Sequence, residues 1–218
     1  MNNLLTLKNV NLTFGDTIVF ECLNFTLAEK QITTIKTGVL DGGTSFLKLC
    51  NSTLTANSGE LLYENQPSKY FSNTDLFKFI GMQFESEGLL SMYTVLGNCK
   101  LPLIFHSNLD DESITNRILA AAEQFSLSHI LNKYPFQLND VQSRLANLLR
   151  LLVIKPKILL LDEIQSGMSD QIRDMLMRKL AEYIEKNDCS LIMTVTAGDR
   201  NDFADQRYQI LNKNLMAY

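Results

Sequence analysis

The pattern of apolar and polar residues along the first part of the chain predicts β-strands. The two types alternate over residues 4–27, and a turn-forming pair, Gly15-Asp16, interrupts the alternation. We therefore predict two antiparallel strands joined by a hairpin. Residues 31–37 (QITTIKT) and 59–66 (GELLYENQ) are strand-like as well, with the turn-prone pair Glu64-Asn65 inside the second segment.

Helical and strand patterns alternate in the rest of the chain. Helices are predicted over 46–54, 110–127, 143–154 and 171–186. Continuous apolar runs predict buried strands at 158–163 (ILLLDE) and 190–197 (SLIMTVTA), and the C-terminal RYQILNKNLMAY is strand-like. Strands that alternate with helices indicate an α/β fold with a mostly parallel core sheet.

Composition and charge narrow the class of protein. The chain has 218 residues, 45% of them apolar, which is enough for the core of one domain. Its net charge of −4 argues against a general nucleic-acid-binding protein, because such proteins neutralise phosphates with a basic surface. The N-terminus has no signal-peptide pattern, and no apolar run approaches the roughly 20 residues of a membrane-spanning helix. The absence of such a run leads us to expect a soluble protein, although one that could lie beside a membrane. The four cysteines have no metal-binding spacing, so we expect them to be reduced in a cytosolic protein.

The stretch 35–51 (IKTGVLDGGTSFLKLCN) has the layout of a phosphate-binding loop, in which a strand leads through a glycine-containing turn into a helix. Such a loop binds phosphates through backbone N–H groups, a lysine adds positive charge, and a Ser or Thr hydroxyl binds Mg²⁺. In one register, Gly38 and Gly43 are the motif glycines. Thr44 then stands at the lysine position and Ser45 supplies the hydroxyl.

A second register of the same loop is favoured. In this register Thr37 replaces the first glycine and Gly42 is the second. Gly43 stands at the lysine position and Thr44 supplies the hydroxyl. This register leaves Lys48 on the polar side of the helix and the apolar residues for the core. Both registers lack the lysine, and a plain strand–turn–helix is the alternative to a phosphate site.

Two carboxylates end the apolar run ILLLDE. The carboxyl ends of parallel strands are where α/β proteins bind ligands. Asp162 there could hold Mg²⁺, usually through water, and Glu163 could polarise an attacking water. The alternative is a buried strand that simply ends in solvated acids.

Together these segments resemble the ATP-binding-cassette (ABC) ATPase subunits of membrane transporters, nearly from end to end. Residues 134–163 look like the signature-motif helix and the Walker B strand of that family. Residues 80–103 are similar to its Q-loop and the segment that follows, and 57–66 to the strand after its first helix. The phrase GLL…TVLGN.KLPL particularly resembles lipid-transport cassettes of the Mla type, and less closely the LolD and FtsE types.

The resemblance implies a P-loop NTPase-like ABC cassette of the α/β class. It would have a mostly parallel core sheet, an antiparallel β subdomain and a helical subdomain. The whole chain, 1–218, would be a single nucleotide-binding domain, with the core at about 1–85 and 151–218 and the helical subdomain at about 86–150.

Several nucleotide-binding positions of the family are altered in this chain. The resemblance places Phe14 at the position of the aromatic residue that stacks on adenine, although a core residue of the hairpin is an equal alternative. Glu85 replaces the Q-loop glutamine, and Ala197 replaces the switch histidine. Only the Walker B pair, Asp162 and Glu163, is intact.

The signature motif is also changed. Where the family has LSGGQ, this chain has Leu138, Asn139, Asp140, Val141 and Gln142. In the family this motif contacts the γ-phosphate bound to the opposite subunit. A negative charge and a branched side chain at that contact would weaken it.

These changes lead to the hypothesis of a pseudo-ATPase, a transporter cassette with a structural or regulatory role. ATP and Mg²⁺ would bind weakly or not at all. The expected partners are an integral-membrane permease subunit, which would dock on residues 88–103, and a second cassette, either a copy of this chain or an active one. The protein would be cytoplasmic and peripheral on the inner face of the cell membrane. The alternatives are a divergent but active ATPase of the same family and an interaction module without a transporter.

Overall fold

Two β-sheets and a set of helices form the chain in a computed structural model, which describes residues 2–38, 40–84 and 88–218. The strands are β1 (Asn3–Phe14), β2 (Thr17–Ala28), β3 (Ile32–Lys36), β4 (Ser58–Tyr63), β5 (Gln66–Pro67), β6 (Ile80–Gln83), β7 (Ile158–Leu161), β8 (Ser190–Val195), β9 (Gln206–Leu211) and β10 (Asn214–Ala217). The α-helices are α1 (Gly43–Cys50), α2 (Asn73–Phe79), α3 (Val95–His106), α4 (Asp111–Gln124), α5 (Asp140–Leu152) and α6 (Asp170–Asn187). None of these helices is both long enough and apolar enough to cross a membrane.

The larger sheet is mostly parallel, which confirms the predicted fold class. Its strand order is β10-β9-β3-β8-β7-β6, and every neighbouring pair is parallel except the β9–β10 hairpin. Every residue of β7 and β8 is buried. Continuous apolar runs suit strands with helices or a second sheet on both faces.

The smaller sheet is antiparallel, with the order β2-β1-β4-β5. The hairpin predicted at Gly15-Asp16 joins β1 to β2. Glu64 and Asn65 join β4 to β5 with φ values of 48° and 64°, the conformation that a tight hairpin turn requires. The helix α1 packs beside this sheet through an edge-to-face contact between Phe25 and Phe46, whose ring centroids are 5.1 Å apart.

Helices α3, α4 and α5 follow one another in the region predicted to be mostly helical. Their apolar faces share one buried cluster, to which Cys99, Ile118 and Leu148 belong. A buried amide fixes the chain before α3, because Asn98 donates to the carbonyl oxygens of Leu90 and Tyr93 at 3.1 Å.

The helices α1 and α5 have boundaries that differ from the predicted ones, and the structure adds two short elements. The helix predicted over 46–54 ends at Cys50, where the chain forms a turn around Asn51, whose side chain accepts a hydrogen bond from the Thr53 N–H at 3.0 Å. The helix predicted to begin at residue 143 begins at Asp140. The short elements β6 and α2 were not predicted, because neither is long enough to show a clear period.

Candidate nucleotide-binding site

The loop between β3 and α1 begins beside β8 and ends at a glycine. The Thr37 N–H donates to the Val195 carbonyl oxygen at 2.9 Å, so the loop leaves the sheet at the carboxyl end of its central strands. Gly42 caps α1 with a φ of 103°, which favours glycine. A Cβ at Gly42 would also lie 2.7 Å from Cγ1 of Val19. Both observations require glycine at position 42.

Position 43 is closed to a side chain. A Cβ added to Gly43 would lie 2.4 Å from Cγ2 of Thr37 and 3.3 Å from Cγ2 of Thr194. Thr37 itself is buried. The threonine at the first-glycine position therefore fills the space into which a residue at the lysine position would extend.

A carboxylate of the loop bonds to the loop's own backbone. The side chain of Asp41 accepts a hydrogen bond from the Gly38 N–H. Leu40, beside it, has a φ of 61° and is 99% exposed. The Gly38 N–H, which could bind a phosphate oxygen, is therefore already bonded to a carboxylate. That carboxylate is negatively charged, as a phosphate is.

The helix start and the end of β7 meet at Asp162. This carboxylate is 2% exposed, and its two oxygens accept hydrogen bonds from Thr44 Oγ1 at 2.7 Å and Thr194 Oγ1 at 2.8 Å. Thr194 Oγ1 also accepts from the Glu163 N–H at 2.8 Å. The hydroxyl of α1 that bonds to Asp162 is thus that of Thr44, the residue to which the favoured register assigns the metal-binding hydroxyl.

Thr44 and Asp162 form a donor set that suits Mg²⁺, which prefers hydroxyl and carboxylate oxygens. Glu163 follows directly, half-buried and with a φ of 44°. A cluster of three or more His, Cys, Asp or Glu side chains that could bind a metal does not occur in the described ranges. The fit therefore rests on one hydroxyl and one carboxylate, with the remaining ligands left to water or substrate.

The predicted signature segment forms the N-terminus of α5. Asn139 caps this helix, because its Oδ1 accepts from the Gln142 N–H at 2.8 Å. The Gln142 side chain bonds in return to the Asn139 N–H at 3.3 Å, which completes a capping box. Asp140 is exposed in the first turn, and Val141 packs against the core from a half-buried position. Leu138 is also half-buried against the core.

A hydrogen-bonded turn follows β8 at the predicted switch position. Ala197 is exposed there and offers no titratable group. The Asp199 carboxylate accepts from the Thr196 N–H at 2.8 Å and its hydroxyl at 2.9 Å. Arg173 of α6 lies 3.7 Å from the same carboxylate. Sequence reasoning missed this network, because Arg173 and Asp199 are far apart in the chain.

A second link ties the same turn to the segment after Glu163. The buried Gln165 donates to the Arg200 carbonyl oxygen at 2.8 Å and accepts from the Arg200 N–H at 2.9 Å. This link was not predicted. Its only signal in the sequence is a single glutamine two residues after the Walker B carboxylates.

Phe14 and Glu85 are two further residues that the sequence predicts as nucleotide contacts. Phe14 ends β1 and is 50% exposed, so it is not a buried residue of the hairpin. Glu85 lies outside the described residues.

Residues 88–103 lie partly on the surface, as docking would require, and partly in the core. Leu90, Met92 and Tyr93 are exposed, Met92 to 75%. Val95 is fully buried. Leu89 and Leu96 lie half-buried against the core cluster.

A groove lies beside this segment, between β6, α3 and α5. It encloses about 440 Å³ and is lined mainly by apolar side chains, with Gln83 and Arg150 among the polar ones. Arg150 bonds to the Gly88 carbonyl oxygen, and burial lowers the pKa of its guanidinium. We call this cavity the α3–α5 groove.

The parallel sheet, the glycine-capped helix after β3 and the carboxylates after β7 define an α/β nucleotide-binding cassette. Comparison with known proteins gives the family. Residues 20–166 match the ABC transporter family, and the chain belongs to it.

Known relatives agree with this assignment. The intermembrane phospholipid transport system ATP-binding protein MlaF of Haemophilus influenzae is 27% identical over 99% of this chain and 83% of its own length. The methionine import ATP-binding protein MetN 1 of Pseudomonas syringae pv. syringae is 31% identical, over 65% of this chain and 43% of its own length.

A solved structure shows the same fold. The ATP-binding cassette MJ0796, in its dimeric post-hydrolysis state bound to ADP and Pi, has a TM-score of 0.87 at 20% identity, and the match covers 98% of this chain and 97% of that one.

Proposed function

We propose that the protein is a pseudo-ATPase, an ABC cassette that serves a membrane transporter as a structural or regulatory subunit. Its whole length would act as one nucleotide-binding-type domain. The observation that carries this proposal is the contact between positions 37 and 43. The Thr37 methyl group leaves no room for a side chain at Gly43, which stands at the lysine position of the favoured register.

The other phosphate-binding groups support the same conclusion. The Gly38 N–H donates to Asp41, and the Gln142 N–H at the start of α5 donates to Asn139. Phosphates would have to compete with these internal acceptors. The negative charges of Asp41 and Asp140 oppose an approaching phosphate as well.

These losses are large relative to what phosphoryl transfer needs. The reaction depends almost entirely on positioning and on stabilisation of charge. Removal of one preorganised donor typically costs about 2.7–4 kcal/mol of transition-state stabilisation, or roughly 10²–10³ in rate. The absence of a lysine at Gly43 and of a histidine at Ala197 therefore reduces the expected turnover to near background.

Nucleotide and metal would bind weakly or not at all. Thr44 and Asp162 would hold Mg²⁺, which neutralises phosphate charge when bound. In this chain the Thr44 hydroxyl donates to Asp162, which leaves the oxygen lone pairs of the hydroxyl available to a metal ion.

The likeness to MlaF suggests a lipid-related transporter. The partners we propose are an integral-membrane permease subunit, which contacts residues 88–103, and a second cassette. The exposed Leu90, Met92 and Tyr93 support docking on that segment. The protein would then lie on the cytoplasmic side of the membrane, held there by the permease.

A divergent but active ATPase is the second candidate. One observation favours it, because the Thr44 hydroxyl, Asp162 and Glu163 remain together at the carboxyl end of β7. This candidate predicts Mg-ATP turnover that depends on Glu163.

Calorimetry with Mg-ATP tests the proposal, with a Thr44→Ala/Ser45→Ala double variant as control. Absence of heat at millimolar nucleotide would support a structural cassette. Binding that the double variant loses would show a working loop, and hydrolysis assays would follow. Robust turnover that Glu163→Gln abolishes would refute the pseudo-ATPase and establish the second candidate.

A further inference from the structure

A second cavity lies between α4, α6 and the end of α5, away from the candidate phosphate site. It encloses about 500 Å³ and is lined by the second half of α4, the last turn of α6 and the residues that lead from α5 into β7. Asp162 of the candidate phosphate site follows β7, whereas these lining residues precede it. The two sites therefore lie at opposite ends of that strand. We call this second site the α4–α6 cavity.

Positive side chains outnumber negative ones in the lining of the α4–α6 cavity. Arg117 of α4, Lys155 before β7 and Lys186 of α6 all line it. Glu182 of α6 is the only acidic side chain among the described residues that do so. The chain as a whole has a net charge of −4, so this local excess of two positive charges runs against the average of the protein.

The chain does not neutralise these three cations itself. None of the ion pairs among the described residues includes Arg117, Lys155 or Lys186. Lys157, two residues after Lys155, does have such a partner, because its Nζ lies 2.6 Å from Oε1 of Glu64. The positive charge of the cavity is therefore left for a ligand to balance.

Arg117 is anchored in the wall of the cavity and keeps one donor free. Its Nη2 donates to the Ile154 carbonyl oxygen at 3.1 Å. Its Nε is buried without a partner, so a ligand cannot contact that atom. Nη1 is not enclosed in this way and has no partner in the ranges that the structure describes. Burial lowers the pKa of this guanidinium, as expected for a cation that no carboxylate neutralises.

The lining suits a phosphate group that carries an organic part. A phosphate monoester has a charge of about −1.5 to −2 at pH 7, which balances the excess positive charge of the cavity. Arginine and lysine both bind phosphate oxygens, and arginine does so with a planar set of donors. Ala121, Leu152 and Val153 contribute apolar surface for the organic part. The volume of the cavity is also that of sites which bind small ligands.

We propose that the α4–α6 cavity binds a phosphate monoester through Arg117, Lys155 and Lys186, with the organic part of the ligand against the apolar surface. The cavity shares no residue with the phosphate loop, so this site goes beyond the proposed function and does not depend on it. Soluble organic phosphates and the headgroup of phosphatidic acid both present a phosphate monoester, and the experiment separates these two sources.

The test measures the binding of phenyl phosphate, a soluble monoester with an apolar body, by calorimetry at low salt and without Mg²⁺. Wild type is compared with Lys155→Gln/Lys186→Gln. The matched control is Lys69→Gln/Lys213→Gln, which removes the same charge from two exposed lysines outside the cavity. Inorganic phosphate tests the contribution of the organic part. Phosphatidylcholine vesicles with and without phosphatidic acid test the lipid headgroup.

We expect wild type and the control variant to bind phenyl phosphate equally well. Lys155→Gln/Lys186→Gln should bind it at least about tenfold more weakly, because the loss of even one charge-assisted hydrogen bond corresponds to roughly 10- to 100-fold in affinity. Inorganic phosphate should bind more weakly than phenyl phosphate. Binding only to vesicles that contain phosphatidic acid, with the same loss in Lys155→Gln/Lys186→Gln, would support the site and identify a lipid headgroup as its ligand.

Four outcomes would overturn the inference. Absence of wild-type binding to any of these phosphates would refute the site. Equal weakening in both double variants would show only a general attraction of anions to the charge of the protein. Equal binding by all three proteins would place the phosphate elsewhere. Unchanged binding with a lower unfolding temperature in Lys155→Gln/Lys186→Gln alone would show that these lysines serve only to stabilise the carbonyl ends of the helices. None of these results bears on the pseudo-ATPase proposal, which Mg-ATP turnover tests.

Discussion

The contact between positions 37 and 43 predicts that a lysine cannot be restored by one substitution. In Gly43→Lys, the new Cβ would lie 2.4 Å from Thr37 Cγ2, whereas carbon atoms in contact are about 3.5–4.0 Å apart. One of the two segments must therefore move by roughly 1 Å or more, and overpacking of this kind costs about 1–3 kcal/mol. In a Thr37→Gly background the same substitution should cost little, because the methyl group is gone.

A double-mutant cycle measures this effect. Urea unfolding of wild type, Thr37→Gly, Gly43→Lys and the double variant should give a coupling free energy of about 1–3 kcal/mol between the two positions. Mg-ATP calorimetry on the same proteins should show tighter binding only in the double variant. A charge-assisted hydrogen bond of about 1.5–3 kcal/mol corresponds to roughly 10- to 100-fold in affinity.

A stable, tightly binding single variant would refute this reasoning. If Gly43→Lys alone were as stable as wild type and bound Mg-ATP as tightly as the double variant, Thr37 would not close the lysine position. Steric exclusion by Thr37 would then not account for the loss of the lysine. Gly43→Ala provides the smaller test, because it adds only the Cβ that meets Thr37.

Three further predictions follow from the described contacts. Asn139→Ala should lower the free energy of unfolding by about 1 kcal/mol, because α5 loses its cap. Asn132→Ala, at an exposed turn, is the control and should leave that free energy unchanged. Equal urea midpoints for the two variants would contradict this prediction. Burial raises the pKa of Cys99 to about 12, so the protonated thiol is favoured in the fold. The free energy of unfolding should therefore fall as pH rises from the ordinary thiol pKa toward 12, less so in Cys99→Ala but unchanged in the exposed Cys22→Ala control. Asp199→Ala should raise the hydrogen-exchange rate of amides in the turn after β8 by about tenfold or more, because that turn loses its acceptor; unchanged exchange would show that the network is dispensable.

The large elements of the fold were predictable because each shows a clear apolar pattern over many residues. The alternation over 4–27 predicts the β1–β2 hairpin, and the run ILLL predicts β7, which pairs with β6 and β8. Boundaries were less predictable, because they depend on side-chain caps. Asn139 caps α5 and moves its start to Asp140, although the apolar period begins only three residues later.

The site was predictable as a set of positions and not as a set of contacts. The sequence shows that Gly43 lacks the lysine side chain, but only the structure shows that Thr37 fills the space beside it. Likewise, Asp41 is visible as a charge in the loop, whereas its bond to the Gly38 N–H depends on the folded backbone. Gln83 was not singled out, because a glutamine that ends a short strand carries no sequence signal of burial.

Hydrogen bonding separates the candidate phosphate site from the groove. In the phosphate loop and in the signature segment, backbone donors that a nucleotide would satisfy have internal acceptors, since Gly38 donates to Asp41 and Gln142 donates to Asn139. The cassette can therefore keep its loop and its α5 helix folded without nucleotide. In the groove the reverse holds, because its mainly apolar lining, which includes the exposed Phe84, is open to a partner. A chain whose phosphate-contacting donors are already bonded, and whose apolar groove is open, should gain more stability from a docked partner than from ATP. Thermal unfolding tests this directly, by comparing the rise in unfolding temperature that Mg-ATP causes with the rise that the bound membrane subunit causes. A larger rise with Mg-ATP would contradict the conclusion.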